Sequence, residues 1–263
     1  MSIRRVAMVV HDGKPEAAAV RREITGFLSD RGIEVTEDAP DLVVSLGGDG
    51  TMLRGAHLSH RADVPLLGVN LGTLGYLTEV EAAGAQHALD SILSGDYQVE
   101  ERMMLNCETM GEEAGSYVGL NEVLVERSSQ HRLVRLGVRI GGESLAAFNA
   151  DGIIVATPTG STAYALSAGG PIVSPRAECL VVVPVSAHMI FSRPFVLAPD
   201  ETVEITVEAP DQEASLSLDG ALGCDIAPGT TVLVNRHPRP LRLVRLAGPG
   251  FLERLRIKLD LPR

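Results

Sequence analysis

A chain of 263 residues with 45% apolar residues has the material for one large hydrophobic core or two ordinary ones. Its 34 acidic residues against 23 basic ones give a net charge of −11, a surface that repels nucleic-acid backbones and anionic lipid. The apolar run CLVVVPV (179–185) is far too short to span a bilayer, and the N-terminal run stops at Val10, short of a secretion signal. These features exclude nucleic-acid and membrane partners and leave small molecules as the expected ligands. The basic character is nearly all arginine, with Lys14 and Lys258 the only lysines. The three cysteines, Cys107, Cys179 and Cys224, have neither zinc-ligand spacing nor a disulfide pattern. They read as buried or half-buried thiols of a protein in a reducing cytoplasm.

The first hundred residues alternate strand-like and helix-like segments. VAMVV (6–10) is the short apolar run of a strand covered on both faces. PEAAAVRREITGFLSDRG (15–32) predicts a helix, with Ala18, Ile24, Phe27 and Leu28 near helical spacing and Gly32 as its stop. DLVVSL (41–46) and PLLGVNL (65–71) predict two more strands, with TMLRGAHLSHR between them as a helix. AGAQHALDSILSGD (83–96) predicts another helix closed by a glycine. Strands and helices at this spacing make parallel βαβ units. From about residue 99 short strand-like runs follow one another: YVGLNEVLVER, VRLGVRIGG, DGIIVATP, CLVVVPV, FVLAPDETVEITV, ASLSLDG, TTVLVNR and LRLVRL. In ETVEITVEA, Val203, Ile205 and Val207 face one way and Glu204, Thr206 and Glu208 the other. This texture predicts a β-rich second domain of two packed sheets. The closing GPGFLERLRIKLDLPR fits either a helix or a strand.

Two loops carry chemistry. In GGDGTMLR (47–54) a buried strand ends and Gly47, Gly48 and Gly50 permit positive φ and let a ligand approach the backbone. Thr51 is placed to cap the next helix, whose free amides favour phosphate, and Arg54 adds charge one turn in. Asp49 is the odd member, because a carboxylate repels phosphate. It makes sense only against a hydroxyl, a proton or a metal ion, or else as a local helix cap. The loop is neither a P-loop nor a GxGxxG fingerprint. The second loop lies in FNADGIIVATPTGSTAYALSAGGP (148–171), where Ser161 and Thr162 offer hydrogen-bond donors and Tyr164 offers a ring for base stacking. The bland alternative is an ordinary strand-to-helix turn with hydroxyl caps and with Tyr164 in the core. His57 and His60 read as a solvated helix face, and His188 as a buried, satisfied histidine.

GGDGT, then Asn70-x-Gly72-x-x-Gly75, then Asn121-Glu122, then Asp151-Gly152-x4-TPTGSTAY, resembles the NAD kinase family, in the family's order and over nearly the whole chain. The resemblance implies transfer of the terminal phosphate of ATP to the 2′-hydroxyl of the adenosine ribose of NAD, with a divalent cation, usually Mg²⁺. It implies an α/β N-terminal domain with a Rossmann-like parallel sheet (1–98) and an all-β, sandwich-like C-terminal domain (99–240). It implies a tail (241–263) that returns to the first domain. It also implies a homodimer or homotetramer in which neighbouring subunits help to form the site. Asp49 matches the family's proton acceptor and lies with Gly50 against the ribose. Arg54, Arg132 and Asn149 match further ligand contacts, although Asn149 stands where relatives usually have a basic residue. Asn121, Glu122, Asp151, Thr162, Ala163, Tyr164 and Ser167 match the dinucleotide site. No metal ligand follows from the match. Ala221 replaces a polar residue in the SLDGALG turn, so that contact is not carried over. The competing readings are a lipid or sugar kinase sharing GGDGT and a non-catalytic NAD-binding sensor.

Overall fold

The structure is a computed structural model describing residues 3–11, 13, 15–72, 75–111, 114–129, 132–188 and 192–262. The elements run β1 (Arg5–Val10), α1 (Pro15–Ser29), β2 (Glu34–Val35), β3 (Leu42–Gly47), α2 (Asp49–Ala62), β4 (Leu66–Asn70), β5 (Val80–Glu81), α3 (Ala85–Ser94) and β6 (Gln98–Arg102). Then follow β7 (Leu105–Met110), β8 (Gly115–Gly119), β9 (Glu122–Arg127), β10 (Val134–Ile140), β11 (Glu143–Ala150) and β12 (Gly152–Ala156). A four-residue helix α4 (Tyr164–Ser167) precedes β13 (Leu180–Val185), β14 (Phe195–Leu197) and β15 (Val203–Val207). The chain closes with β16 (Ala214–Leu218), β17 (Ala221–Ile226), β18 (Thr231–Arg236), β19 (Leu241–Arg245) and α5 (Phe251–Lys258). It forms two units, one of residues 1–101 and 241–263, the other of residues 102–240.

The first unit is α/β. Its sheet has the order β2-β1-β3-β4-β19-β6, with β5 also on β4, and β1 to β5 and β19 pair in parallel. Every residue of β3 and β4 is buried, which is why LVVSLG and LLGVN read as continuous runs rather than alternating ones. Small residues set the spacing of α2 on the sheet. An added Cβ at Gly55 would lie 3.1 Å from Leu66 and 3.2 Å from Ser45, and one at Gly68 would lie 2.5 Å from Met52 Sδ. In α1 the buried positions are Ala17, Ile24 and Leu28, so Ala17 and not Ala18 faces the core; a slip of one residue is 100° around a helix. The LRLVRL segment, grouped by texture with the β-rich domain, is β19 and pairs in parallel with β4 in this sheet. The closing segment is helix α5. His57 is exposed, but His60 is buried, so the pair is not a solvated face.

The second unit is all-β. Two six-stranded sheets, β11-β10-β15-β18-β7-β8 and β14-β13-β12-β9-β16-β17, share one core. Val203, Ile205 and Val207 enter that core from one sheet and Val123, Val125, Ile153 and Leu216 from the other, as the alternation in ETVEITVEA requires. YVGLNEVLVER divides into parts of β8 and β9, with a break at Leu120-Asn121. The three cysteines are free, Cys107 and Cys179 buried and Cys224 half-buried, as expected. His188 is exposed, contrary to expectation, and donates its backbone N–H to Asn149 O.

Candidate active site

The order of the first sheet reverses between β1 and β3: β2 continues one way from β1, β4 the other way from β3. The crevice outside the carboxyl ends of such a strand pair is where open α/β sheets take ligands. GGDGT occupies that position. Gly47 ends β3 and α2 begins at Asp49, so Thr51 lies inside the first helical turn and does not cap it; the N-cap is Gly48, with no side-chain cap bond. None of Gly47, Gly48 and Gly50 has a positive φ. The requirement at Gly47 is steric, since an added Cβ would lie 2.2 Å from Thr51 Oγ1. Gly50 is exposed and open.

Asp49 is not a cap for its own helix. Tyr76 N–H donates to its Oδ2 at 3.0 Å and Leu77 N–H to its Oδ1 at 3.1 Å. Both amides come from the loop after β4. Gly75 leaves the room for this, because an added Cβ there would lie 2.1 Å from Asp49 Oδ1. Gly75 N–H donates to Thr78 Oγ1, and Asn70 Nδ2 donates to Gly72 O, so the Asn70-Gly72-Gly75 motif builds the brace for the carboxylate. Each carboxylate oxygen accepts one of these bonds and keeps a further lone pair for a ligand. Arg54 is exposed in the second turn of α2.

In the second unit, β9 pairs with β12 so that Glu122 faces Ala156. This register brings the Asn121-Glu122 turn against TPTGST. Thr157 N–H donates to Asn121 O at 2.8 Å, Thr157 Oγ1 donates to Leu120 O at 2.6 Å, and Gly160 N–H donates to Thr157 Oγ1 at 3.0 Å. From the other side comes the β16–β17 hairpin, whose turn residues Asp219 and Gly220 both have positive φ, 52° and 77°. The Asp219 carboxylate accepts N–H bonds from Leu120, Asn121 and Glu122 at 2.8, 2.6 and 3.3 Å. Asp219 therefore positions the Asn121-Glu122 turn. The sequence assigns no role to the aspartate of the SLDGALG turn, although Asp-Gly between two alternating runs marks a hairpin there. Ser161, open between ligand donor and local hydroxyl cap, is fully buried and ties the loop together, donating to Pro158 O and accepting from Val173 N–H. Thr162 and Ala163 are half-buried, Ser167 is exposed, and Tyr164 is 42% exposed, out of the core and open to stacking.

Glu122 sits in this turn almost wholly buried, and its Oε2 has no hydrogen-bond partner among the described residues. Burial, followed by the negative charge of Asp219, pushes its carboxyl up to about 8 from the ordinary 4.5. The sign of the linkage is fixed by that direction. The folded chain keeps this proton where the unfolded chain has released it, so the contribution to stability is full below pH 4.5 and is lost as pH rises through 8. Glu122→Gln is expected to remove this dependence. Urea unfolding between pH 5 and 8.5 will show the unsubstituted chain losing on the order of 3–5 kcal/mol more than the variant over that range. Parallel curves would mean that Glu122 is ionised in the fold.

At the other end of β12, Asp151 accepts from Arg127 Nε at 2.5 Å, and this bond holds its carboxyl below the usual range despite partial desolvation. Asn149 is exposed nearby on β11. Arg132 is exposed, lies 3.5 Å from Asp211, and lines an open cleft with Arg127 and Gln212. Six residue steps separate Asp151 from Thr157, about 20 Å along the strand. The expected residues of this unit thus form two groups: Asn121, Glu122, Thr162, Ala163, Tyr164 and Ser167 at one end of β12, and Arg132, Asn149 and Asp151 at the other. Among the described residues no group of three His, Cys, Asp or Glu side chains is placed to hold a metal ion.

Two family descriptions match this chain: the ATP-NAD kinase N-terminal domain over residues 33–97 and the ATP-NAD kinase C-terminal domain over residues 120–246. The chain belongs to the ATP-NAD kinase family. The first match contains Asp49 and the Gly75 loop, and the second contains Asn121, Asp151, Tyr164, Asp219 and β19. Curated relatives of the ATP-NAD kinase family include the NAD kinase of Heliobacterium modesticaldum, 41% identical with 97% of this chain and 98% of the relative covered. The NAD kinase of Gemmatimonas aurantiaca is 43% identical, with 88% and 82% covered. Among solved structures, an NAD kinase from Archaeoglobus fulgidus in complex with ATP matches with a TM-score of 0.79 at 27% identity, covering 97% of this chain and 98% of that one. Yeast NADH kinase complexed with NADH matches with a TM-score of 0.91, covering 99% and 88%; at 22% identity this shows a common fold. As an ATP-NAD kinase the chain is a phosphotransferase, and the lipid-kinase, sugar-kinase and sensor readings are set aside. None of the helices described is long and apolar enough to cross a membrane.

Proposed function

We propose that this chain transfers the γ-phosphoryl group of ATP to the 2′-hydroxyl of the adenosine ribose of NAD, giving NADP and ADP, with Asp49 as the group that accepts the hydroxyl proton. The observation that carries this reading is the setting of Asp49. It stands at the carboxyl end of a buried strand at the switch point of the sheet, beside open Gly50, with its carboxylate turned from its own helix and braced by two amides. Phosphoryl transfer passes through a loose transition state, so orientation and charge stabilisation supply most of the rate. An ordinary carboxylate is far too weak a base to deprotonate an alcohol in advance. Asp49 therefore orients the hydroxyl and takes its proton late, as the O–P bond forms. The free amides of α2 and Arg54 favour the phosphates.

Asn121, Glu122, Thr162, Ala163, Tyr164 and Ser167 bind the dinucleotide in this reading, with the Tyr164 ring stacking on a base. The separation of the second group along β12 supports a homodimer or homotetramer in which a neighbouring copy supplies Arg132, Asn149 and Asp151. A carboxylate and an amide there suit the exocyclic donors and acceptors of a base. Mg²⁺ enters with ATP as part of the substrate, since triphosphate oxygens and water satisfy its octahedral shell without a protein cage. Bound there, it offsets the charge of the transferring group. The three free thiols favour a cytoplasmic location. The test is direct: purified chain, Mg-ATP and NAD, with NADP read by an NADP-specific dehydrogenase. NADP accumulating with enzyme concentration is the expected result; NAD binding without any NADP would identify a sensor instead.

A further inference from the structure

We infer that Arg254, brought from the far end of the chain by α5, is a positioning residue for the catalytic carboxylate of Asp49. The inference rests on the reading of Asp49 given above. Arg254 is charged yet only 3% exposed, on a short helix that otherwise leaves Leu252 and Ile257 to solvent. Its guanidinium is spent almost wholly on one turn. Nη1 donates to Gly75 O at 3.2 Å and also to Thr78 O, Nη2 donates to Glu79 Oε2 at 3.1 Å, and Nε donates to Pro249 O at 2.9 Å. Gly75 and Thr78 bracket Tyr76 and Leu77, whose amides hold the two oxygens of Asp49. One face of the turn is thus gripped by Arg254 through its carbonyls, and the other presents two N–H groups to the carboxylate.

The grip is itself anchored. Glu79 is buried and takes Arg245 Nη1 at 2.7 Å and Leu246 N–H at 2.8 Å besides Arg254, while Arg245 Nε reaches Glu100 Oε2 at 2.5 Å. A buried charge left without its partner is costly, so loss of Arg254 would leave Glu79 short of one of its partners. A planar fork of five donors can bridge two carbonyls and a carboxylate together; a lysine ammonium on the same path cannot match that geometry. Within the turn, Gly75 N–H bonds to Thr78 Oγ1, and Arg254 adds the bonds that hold its carbonyls. The fork selects the conformation in which Tyr76 and Leu77 both aim at Asp49.

The experiment is a kinetic double-mutant cycle on the full chain with Mg-ATP and NAD, using Arg254→Met, Arg254→Lys and Asp49→Asn. Arg254→Met is expected to lower kcat roughly ten- to hundredfold while both KM values stay within about threefold, because it disorders an orienting group rather than a binding surface. Arg254→Lys should fall between. In the Asp49→Asn background, Arg254→Met should cost no further kcat, since the group it positions is already gone. An equal fold-loss in both backgrounds would show that Arg254 acts on general packing, and unchanged turnover of the Met variant would overturn the inference at once. If Arg254→Met loses its melting transition, Arg254→Lys, which keeps a charge opposite Glu79, carries the same cycle under the same criteria. Normal turnover by Asp49→Asn alone would instead sink the reading of Asp49, a distinct result.

Discussion

Asparagine in place of Asp49 is expected to lower kcat by on the order of a hundredfold or more while NAD still binds. The side chains are nearly the same size, so the shape of the crevice is kept. What changes is chemistry. An amide oxygen orients a hydroxyl less strongly than a carboxylate and cannot take its proton. The amide also meets two backbone donors, Tyr76 N–H and Leu77 N–H, with only one acceptor oxygen. One of them then faces an NH₂ group, at a cost of about 1–3 kcal/mol in stability. The two effects separate experimentally. Calorimetry should give an NAD affinity within a fewfold of the original, denaturant unfolding should show the modest stability loss, and initial rates should show the large kinetic one. A variant that turned over at the original rate would falsify the assignment of Asp49 as proton acceptor.

The second large effect is structural. Gly160→Ala is expected to destabilise the second unit by on the order of 3 kcal/mol and to abolish tight NAD binding. The Cβ would fall 2.0 Å from Asn121 O, 2.4 Å from Asn121 C and 2.7 Å from Asn121 Cα. These are backbone atoms, held in turn by Asp219 through the amide of Asn121 and by Thr157 through its carbonyl. No flexible side chain is present to yield. Either the TPTGST loop lifts away from the Asn121-Glu122 turn, or the three-amide cradle of Asp219 opens. Both routes separate groups that the dinucleotide is proposed to bridge. Thermal unfolding and NAD titration of the variant check the two halves of the expectation. As a control, Gly50→Ala, where an added Cβ has open space, should leave the melting temperature near its original value. A Gly160→Ala protein with unchanged melting and affinity would mean that the loop is not packed on the turn.

Local chemistry was legible in the sequence where its cause is local. Continuous apolar runs marked β3 and β4 because both faces are covered; the alternation of Val203, Ile205 and Val207 marked a strand covered on one face; Gly32 and Gly95, both at positive φ, marked helix ends. Asp49 stood out because a carboxylate among phosphate-binding glycines has no local reason to be there, and the family motifs then supplied a role for it. The partners of these groups were not legible. Tyr76 and Leu77 lie 27 and 28 residues from Asp49, Asp219 lies 98 from Asn121, and Arg254 lies 176 from Thr78. A period of 2 or 3.6 tells which face of an element is buried, but nothing in it says which distant segment does the covering. That choice is made by packing, when β19 docks in parallel on β4 and carries α5 to the Gly75 turn. The same limit explains why the sequence left Ser161 open, a hydroxyl whose use within the loop depends on Val173, and why it made a cap of Thr51, whose burial depends on where the helix starts. The sequence by itself determined β1, β3 and β4, the helices α1 to α3, the β-rich texture beyond residue 99 and the odd acidic residue in the glycine turn. Only the tertiary structure decided what holds that residue in place, because hydrogen bonds between remote backbone groups leave no periodic trace in the chain.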